Sequence, residues 1–206
     1  MEPLVTKQFH DHALSQDALD QLFREARSYN AWLPQDVGTA QIEAIYDLMK
    51  MGPTSANMQP ARLVWCKSPE AKDQLAAFAS ENNKAKIRTA PVCVIIGYDL
   101  DFHEELPWLF PHTDAKSWFE GDEAGRKAGA ARNSALQGAY LMLAARALGL
   151  DCGPMSGVDL DKVTSHFFAD EPRYRADWIC SIGYGDPASV FARSPRPDFA
   201  RFNRIA

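Results

Sequence analysis

The sequence predicts a mixed α/β domain in which buried strands are set between amphipathic helices. Three observations carry this. Several segments repeat apolar residues at spacings of three and four, two apolar runs are bounded by turn residues, and no repeat, low-complexity tract or linker interrupts the 206 residues. With 46% apolar and 11% aromatic residues the chain can build a substantial core, and one domain over 1–206 is the simplest parse.

After a polar leader (1–15), residues 16–28 read as a helix with Leu19, Leu22, Phe23 and Ala26 on one face. A second helix, 39–51, carries Ile42, Ile45, Tyr46 and Met49. Gly52 and Pro53 stop it, glycine by accepting a left-handed cap and proline by refusing another turn. The loop Pro53 to Pro60 leads into a short strand, Leu63 to Cys66. Ser68-Pro69-Glu70 starts the next helix, with an N-cap hydroxyl, proline at the first helical position and an acid near the positive end of the dipole.

Pro91 to Tyr98 (PVCVIIGY) is continuously apolar and reads as a strand buried on both faces. Residues 99–125 mix Phe102, Trp108, Phe110, Trp118 and Phe119 with prolines, histidines and acids. That is too aromatic for a solvated loop and too irregular for a core element, so a lid or an interface insertion is expected. From 128 to 148 runs the longest helix. Leu136, Tyr140, Leu143 and Ala147 mark one face, and Ala135, Ala139 and Met142 make the adjoining face apolar too, so it must be covered on most sides, as a central or dimer-interface helix. Gly149 caps it. A shorter helix follows over 159–168, then a buried strand from Trp178 to Tyr184. The Arg- and Pro-rich tail 186–206 is an arm that wraps over something else.

A net charge of -5 argues against a nucleic-acid partner, which needs a concentrated basic face. No apolar run approaches a membrane span, and the N-terminus lacks the apolar core of a secretory signal, so the cytoplasm is the expected location. Cys66, Cys93, Cys152 and Cys180 are widely spaced and form no C-x-x-C pair. They read as reduced packing residues, with no metal or disulfide role. Gly183-Tyr184-Gly185 does not complete a dinucleotide fingerprint, and it leads into Asp-Pro where a helix is needed. In Gly153-Pro154-Met155-Ser156-Gly157 the serine is one position late for a nucleophile elbow. His10 and His12 belong to the solvated leader, and no metal site is expected.

Four separated segments share one chemical character: Arg27-Ser28-Tyr29-Asn30, the Pro53 to Gln59 turn, Asn83 with Lys86 on one helical face, and Arg193 with Arg196 in the arm. Together they offer cations for a phosphate and amide or hydroxyl groups for a heteroaromatic edge. Taken singly, each has a plain alternative: Arg27 as a helix-end cap, Lys86 as a surface charge, Thr54 to Asn57 as an ordinary turn.

In order, R-S-x-x, G-P-T-S-A-N-x-Q-P before a strand, N-x-x-K before T-A-P-V, and G-L-D-x-G-P-M-S-G resemble the nitroreductase family over nearly the whole chain. LFPHTDAKSWF, ARNSALQGAYL and SIGYGD are most similar to its malonic semialdehyde reductase branch. The resemblance implies an α+β fold, a mostly antiparallel sheet flanked by helices, and an intertwined homodimer with FMN at the subunit interface. It implies that Arg27 and Ser28 approach the flavin phosphate, joined by Arg193 or Arg196, that Asn30 is among the cofactor-binding residues, and that Pro53, Thr54, Ser55, Ala56 and Asn57 line the ring. Asn83 and Lys86 meet the pyrimidine edge, where positive charge favours the reduced flavin, while Pro154, Met155, Ser156 and Gly157 lie near N5.

The resemblance further implies NADPH or NADH as hydride donor and malonic semialdehyde as acceptor. The alternatives are a broad nitroaromatic and quinone reductase or a non-catalytic dimeric flavin-binding protein. Trp108, Phe110, His112 and Trp118 are candidates for a substrate lid or dimer packing, and Arg62, Arg132 or His112 for pairing with a substrate carboxylate. Ala26 and Asn30 stand where many relatives carry basic residues, which implies a looser grip on the flavin. Ser156 stands where several carry an acid, which alters the field near N5.

Overall fold

The computed structural model describes residues 13–206; most of the polar leader, His10 and His12 included, lies outside the described residues. Eight α-helices and four strands are formed among them. The strands β1 (Ala61–Cys66), β2 (Val92–Asp99), β3 (Asp151–Met155) and β4 (Tyr174–Gly183) make one antiparallel sheet in the order β1-β2-β4-β3. The helices are α1 (Gln16–Leu19), α2 (Thr39–Met49), α3 (Pro69–Ala77), α4 (Glu81–Thr89), α5 (Leu106–Leu109), α6 (Glu123–Ala147), α7 (Leu160–Phe167) and α8 (Phe199–Phe202).

Strand periodicity divides the core into two layers. Val92, Val94 and Ile96 of β2 pack with Ile45 and Met49 of α2 and with Leu141, Ala144 and Ala145 of α6. Cys93 and Ile95 face the other way, toward Leu75 of α3, Ile87 of α4 and Val163 of α7. All eight β2 residues are buried, as the apolar run predicts, and each large aliphatic side chain contributes about 1.5–3 kcal/mol. A third cluster (Met58, Tyr98, Phe102, Leu106, Ala115, Ala130) roots the 99–125 insertion.

Several boundaries differ from the sequence reading. The first helix is short: α1 continues as a π-helical turn over Asp20–Arg24 and stops, so Arg27 and Ser28 lie in extended chain. Gly52 is not left-handed; it is there because the Tyr140 ring lies where a Cβ would be, 2.6 Å away. Gly149 does adopt positive φ after α6, and Ser68 and Asp159 cap α3 and α7. β3 has no counterpart among the expected strands, because Gly-Pro in its centre breaks the apolar pattern.

α6 departs most. It starts at Glu123, capped by the Asp122 side chain on the Gly125 N–H at 2.9 Å. The face it turns inward is built of small and polar residues: Ala130, Asn133, Ser134, Gln137, Gly138, Leu141, Ala144 and Ala145. Small side chains bring the helix close to the sheet, and the apolar face that the sequence marks is left open, with Leu136 48% and Tyr140 39% exposed. All four cysteines are buried. Burial pushes the Cys66 and Cys93 thiols up to about 12, and a hydrogen bond with Cys152, with burial second, raises Cys180.

Candidate functional site

β3 is a sheet edge, and the extended segment after α1 is laid along it. Ser28 bridges to Cys152 in parallel, and the Tyr29 N–H donates to the Cys152 carbonyl at 3.0 Å. Further along, the Leu33 N–H donates to the Tyr184 carbonyl and the Asp186 N–H to the Ala31 carbonyl. The Trp32 indole N–H donates to the Lys86 carbonyl at 3.3 Å, so the same segment locates α4. At the far end of β3 the Asn83 side-chain amide donates to the Gly157 carbonyl at 3.2 Å, as does the Ser80 backbone N–H at 2.9 Å. A Cβ on Gly157 would lie 2.8 Å from both the Asn83 amide and the Ser80 hydroxyl. Pro154, Ser156 and Gly157 are exposed at this edge, whereas the Met155 side chain is buried in the core. The Lys86 ammonium makes no ion pair or hydrogen bond among the described residues.

The arm closes the other end. The Arg27 guanidinium donates to the Phe191 carbonyl, Arg193 donates back to the Ala26 carbonyl at 3.0 Å, and the Asn30 amide donates to the Ser189 carbonyl at 3.2 Å. These three bonds staple the arm across the Arg27 segment and enclose a cavity of about 390 Å³. Arg27, Ser28, Asn30, Arg193 and Arg196 line it, joined by Arg146 from the last turn of α6, and its lining contains no acid among the described residues. Arg146 was not singled out from the sequence, where a basic residue near a helix C-terminus is ordinary. The half-buried Asp151 lies behind this edge, its carboxyl raised by burial and partly held down by the Gly185 N–H at 3.0 Å.

The loop after α2 is elsewhere. Gly153 lies opposite Ser181, Ser181 opposite Cys93 and Cys93 opposite Cys66, five residues along β1 from Ala61. Three strand spacings and five residues put Ala61, which the Pro53–Asn57 loop leads into, about 20 Å from Gly153. Ala56, Asn57 and Gln59 all have positive φ without being glycine, a strained stretch held from α6. Asn133 accepts from the Ser55 N–H at 2.9 Å, and Gln137 accepts from the Ala61 N–H at 2.9 Å while donating to the Gln59 side chain at 2.6 Å. Their signal in the sequence is three polar residues, at 133, 134 and 137, on a helix face whose other members, Ala130, Gly138, Leu141, Ala144 and Ala145, are small or apolar.

The insertion is attached to this loop: the Asn57 amide donates to the Leu109 carbonyl at 2.8 Å. Asn57 and Trp108 both line a cavity of about 330 Å³, and Trp108 is 77% exposed. Phe110 packs edge-on against His112 and Trp118, so three of the four lid candidates form one aromatic cluster. Arg62 is not free to meet a substrate carboxylate. It is bound to the buried Asp99 at 2.8 Å, where Arg173 also sits at 3.2 Å, and to the Gln59 and Ala61 carbonyls. Arg132 is exposed on the open side of α6.

The structure thus gathers Arg27, Ser28, Asn30, Arg193 and Arg196 at one end of the β3 edge. It sets Asn83, Lys86 and the Pro154–Gly157 turn along it, and it keeps Pro53, Thr54, Ser55, Ala56 and Asn57 at the opposite edge. No described helix is long and apolar enough to cross a membrane.

Comparison with known proteins places these features in context. The sequence model described as "Nitroreductase family" matches residues 6–185. A protein of Stenotrophomonas maltophilia named "Putative NADH dehydrogenase/NAD(P)H nitroreductase" is 56% identical over 95% of this chain and 99% of its own length. Among solved structures, a "putative nitroreductase" of Bacillus subtilis superposes with a TM-score of 0.84 at 20% identity, covering 93% of this chain and all of the other. Another, from Exiguobacterium sibiricum and in complex with FMN, gives 0.82 at 21% identity over 94% and 99% of the two chains.

Proposed function

The chain belongs to the nitroreductase family, and from that premise we propose that it is a cytoplasmic NAD(P)H-dependent FMN oxidoreductase, active as a homodimer. The whole chain acts as one domain, with 99–125 as lid and 186–206 as an arm. One observation supports the reading: the two groups of site residues are set at opposite edges of the sheet, with Ala61, which the Pro53–Asn57 loop leads into, about 20 Å from Gly153. A second copy bringing its loop to the first copy's β3 edge would unite them. The open face of α6, with Leu136 and Tyr140, is the surface on which that copy docks.

The residues present fit FMN. Arg27, Arg193 and Arg196, with Ser28 and Asn30, bind its phosphate in a cavity with no acid in its wall. Lys86 and Asn83 hold the pyrimidine edge, and the unpaired ammonium of Lys86 supplies positive charge there. Pro154, Met155, Ser156 and Gly157 present main chain to the ring. Thr54 to Asn57 of the partner copy cover its other side, fixed by their bonds to α6 and α5. Trp108, Phe110, His112 and Trp118 close over the acceptor and exclude water. FMN held there supplies hydride transfer from NADPH or NADH to a second substrate.

For that second substrate we propose malonic semialdehyde, reduced to 3-hydroxypropanoate, on the likeness of LFPHTDAKSWF, ARNSALQGAYL and SIGYGD to that branch. A broad nitroaromatic and quinone reductase is the second reading, and the words NAD(P)H nitroreductase in the relatives' names support its nitroaromatic part.

Anaerobic mixing of the FMN-loaded protein with NADPH or NADH tests the proposal, followed by reoxidation with malonic semialdehyde, a quinone or a nitroaromatic in parallel. The flavin is expected to bleach with either or both nucleotides and to be reoxidised fastest by the aldehyde, with parallel-line (ping-pong) steady-state kinetics. Flavin that stays oxidised contradicts the enzyme reading and favours a binding protein. Faster reoxidation by the nitroaromatic contradicts the substrate assignment alone.

A further inference from the structure

The cavity under the C-terminal arm has a fourth cation, supplied by α6. Arg146 donates through Nη1 to the Leu22 carbonyl at 3.2 Å, and its own carbonyl accepts from the Gln21 side chain at 2.6 Å. Among the described residues nothing bonds Nε and Nη2, the edge of a guanidinium that matches two oxygens of one phosphate. Among the described residues no carboxylate pairs with Arg146. Asp151, the acid on which its charge bears, accepts from the Gly185 N–H and is not part of the cavity lining.

The other three arginines are in the same condition. Arg27 meets the Phe191 carbonyl, Arg193 the Ala26 carbonyl, and Arg196 the Ser194 and Pro195 carbonyls, all neutral oxygens. Four guanidinium groups around about 390 Å³, with no acid in the wall, repel one another until an anion enters. Resting on the flavin reading above, we propose that Arg146 is a phosphate-binding residue of this site, anchoring the flavin phosphate from the α6 side opposite Arg27 and the arm. It ties the cofactor to the same helix whose middle turns hold the Pro53–Asn57 loop.

A purely structural role is the competing explanation, since a cation in the last turn of a helix favours its dipole. That role affects stability but cannot distinguish two ligands that differ only in a phosphate. The full-length wild type, Arg146→Gln and Arg146→Lys are therefore titrated with FMN and with riboflavin at fixed ionic strength, following flavin fluorescence. Loss of a charge-assisted phosphate contact raises the FMN Kd of Arg146→Gln by about 10- to 100-fold, with riboflavin changed by no more than about twofold. Arg146→Lys falls between, because it keeps the charge and loses the fork.

Arg88→Gln, which removes an equal charge from a surface pair with Asp73, leaves both affinities unchanged. Equal weakening of FMN and riboflavin, no weakening of either, or an Arg88→Gln effect as large as that of Arg146→Gln overturns the proposal while the flavin reading stands. A wild type that binds neither flavin overturns both.

Discussion

A Cβ on Gly153 would sit 2.6 Å from the Tyr29 carbonyl oxygen, a backbone atom with little freedom to give way. Gly153→Ala should therefore push the Arg27–Trp32 segment off the β3 edge, at a cost of about 1–3 kcal/mol. Calorimetry should show a Tm lower by roughly 3–10 °C together with weaker FMN binding; an unchanged Tm would mean that the segment is not seated on this edge. Asn133→Ala leaves the Ser55 N–H without its acceptor and releases the strained loop, a loss of about 1–3 kcal/mol. It should lower flavin affinity, and Asn133→Asp, which keeps the oxygen, should restore much of it. At this scale the polar groups that the structure sets along the β3 edge were picked out by residue type and order: Arg27, Ser28, Asn30, Asn83, Lys86, Arg193 and Arg196. Arg146, Asn133 and Gln137 were not, because their roles depend on which way α6 faces. Periodicity marked an apolar face on that helix but did not show that its small and polar face packs on the sheet.

At the scale of elements, the strongly patterned segments were readable in advance. β2 announces itself by seven apolar or small residues in a row, Val92 to Tyr98, and α3 and α7 by their N-caps. β3 was hidden by its glycine and proline, and the true start of α6 by the polar, glycine-containing stretch before Ala128. Two predictions belong here. Leu136→Glu alters only an exposed side chain of the single chain, so on a free surface it would be close to neutral. If the open face of α6 is where a second copy docks, light scattering should show the variant as a monomer with little bound flavin.

The sheet supplies the other prediction. Cys66 and Cys93 stay protonated in the fold, with pKa values pushed to about 12, whereas unfolded thiols ionise near ~8.5. Their contribution to stability is complete below the unfolded value and is lost as pH rises toward the folded one. Urea unfolding at pH 8, 9 and 10 should show declining stability, with a shallower decline in a Cys66→Ala/Cys93→Ala double variant. A thiol reagent at pH 8 should label none of the four buried cysteines until denaturant is added.

On the scale of the whole molecule, the family resemblance implied a flavin site shared between two copies, and the sheet topology is consistent with that proposal. In the proposed dimer each copy lends its loop to the other, since β1, which the loop leads into, and β3, along which the Arg27 segment lies, are the two outer strands. The 99–125 insertion is tied to that loop through the Asn57–Leu109 bond, so on this proposal Trp108 reaches the acceptor side from the partner.

Mixing two disabled chains tests this most directly. One carries Arg27→Ala and Lys86→Ala with an intact loop; the other carries Ser55→Pro and Asn57→Ala with an intact β3 edge. In a shared arrangement the mixed dimer contains one doubly damaged site and one fully intact site. It should bind one FMN per dimer with wild-type affinity and recover reduction by NADPH or NADH, although each parent homodimer binds poorly. If the mixed dimer forms and still binds no better than its parents, the site lies within a single chain and the account is wrong.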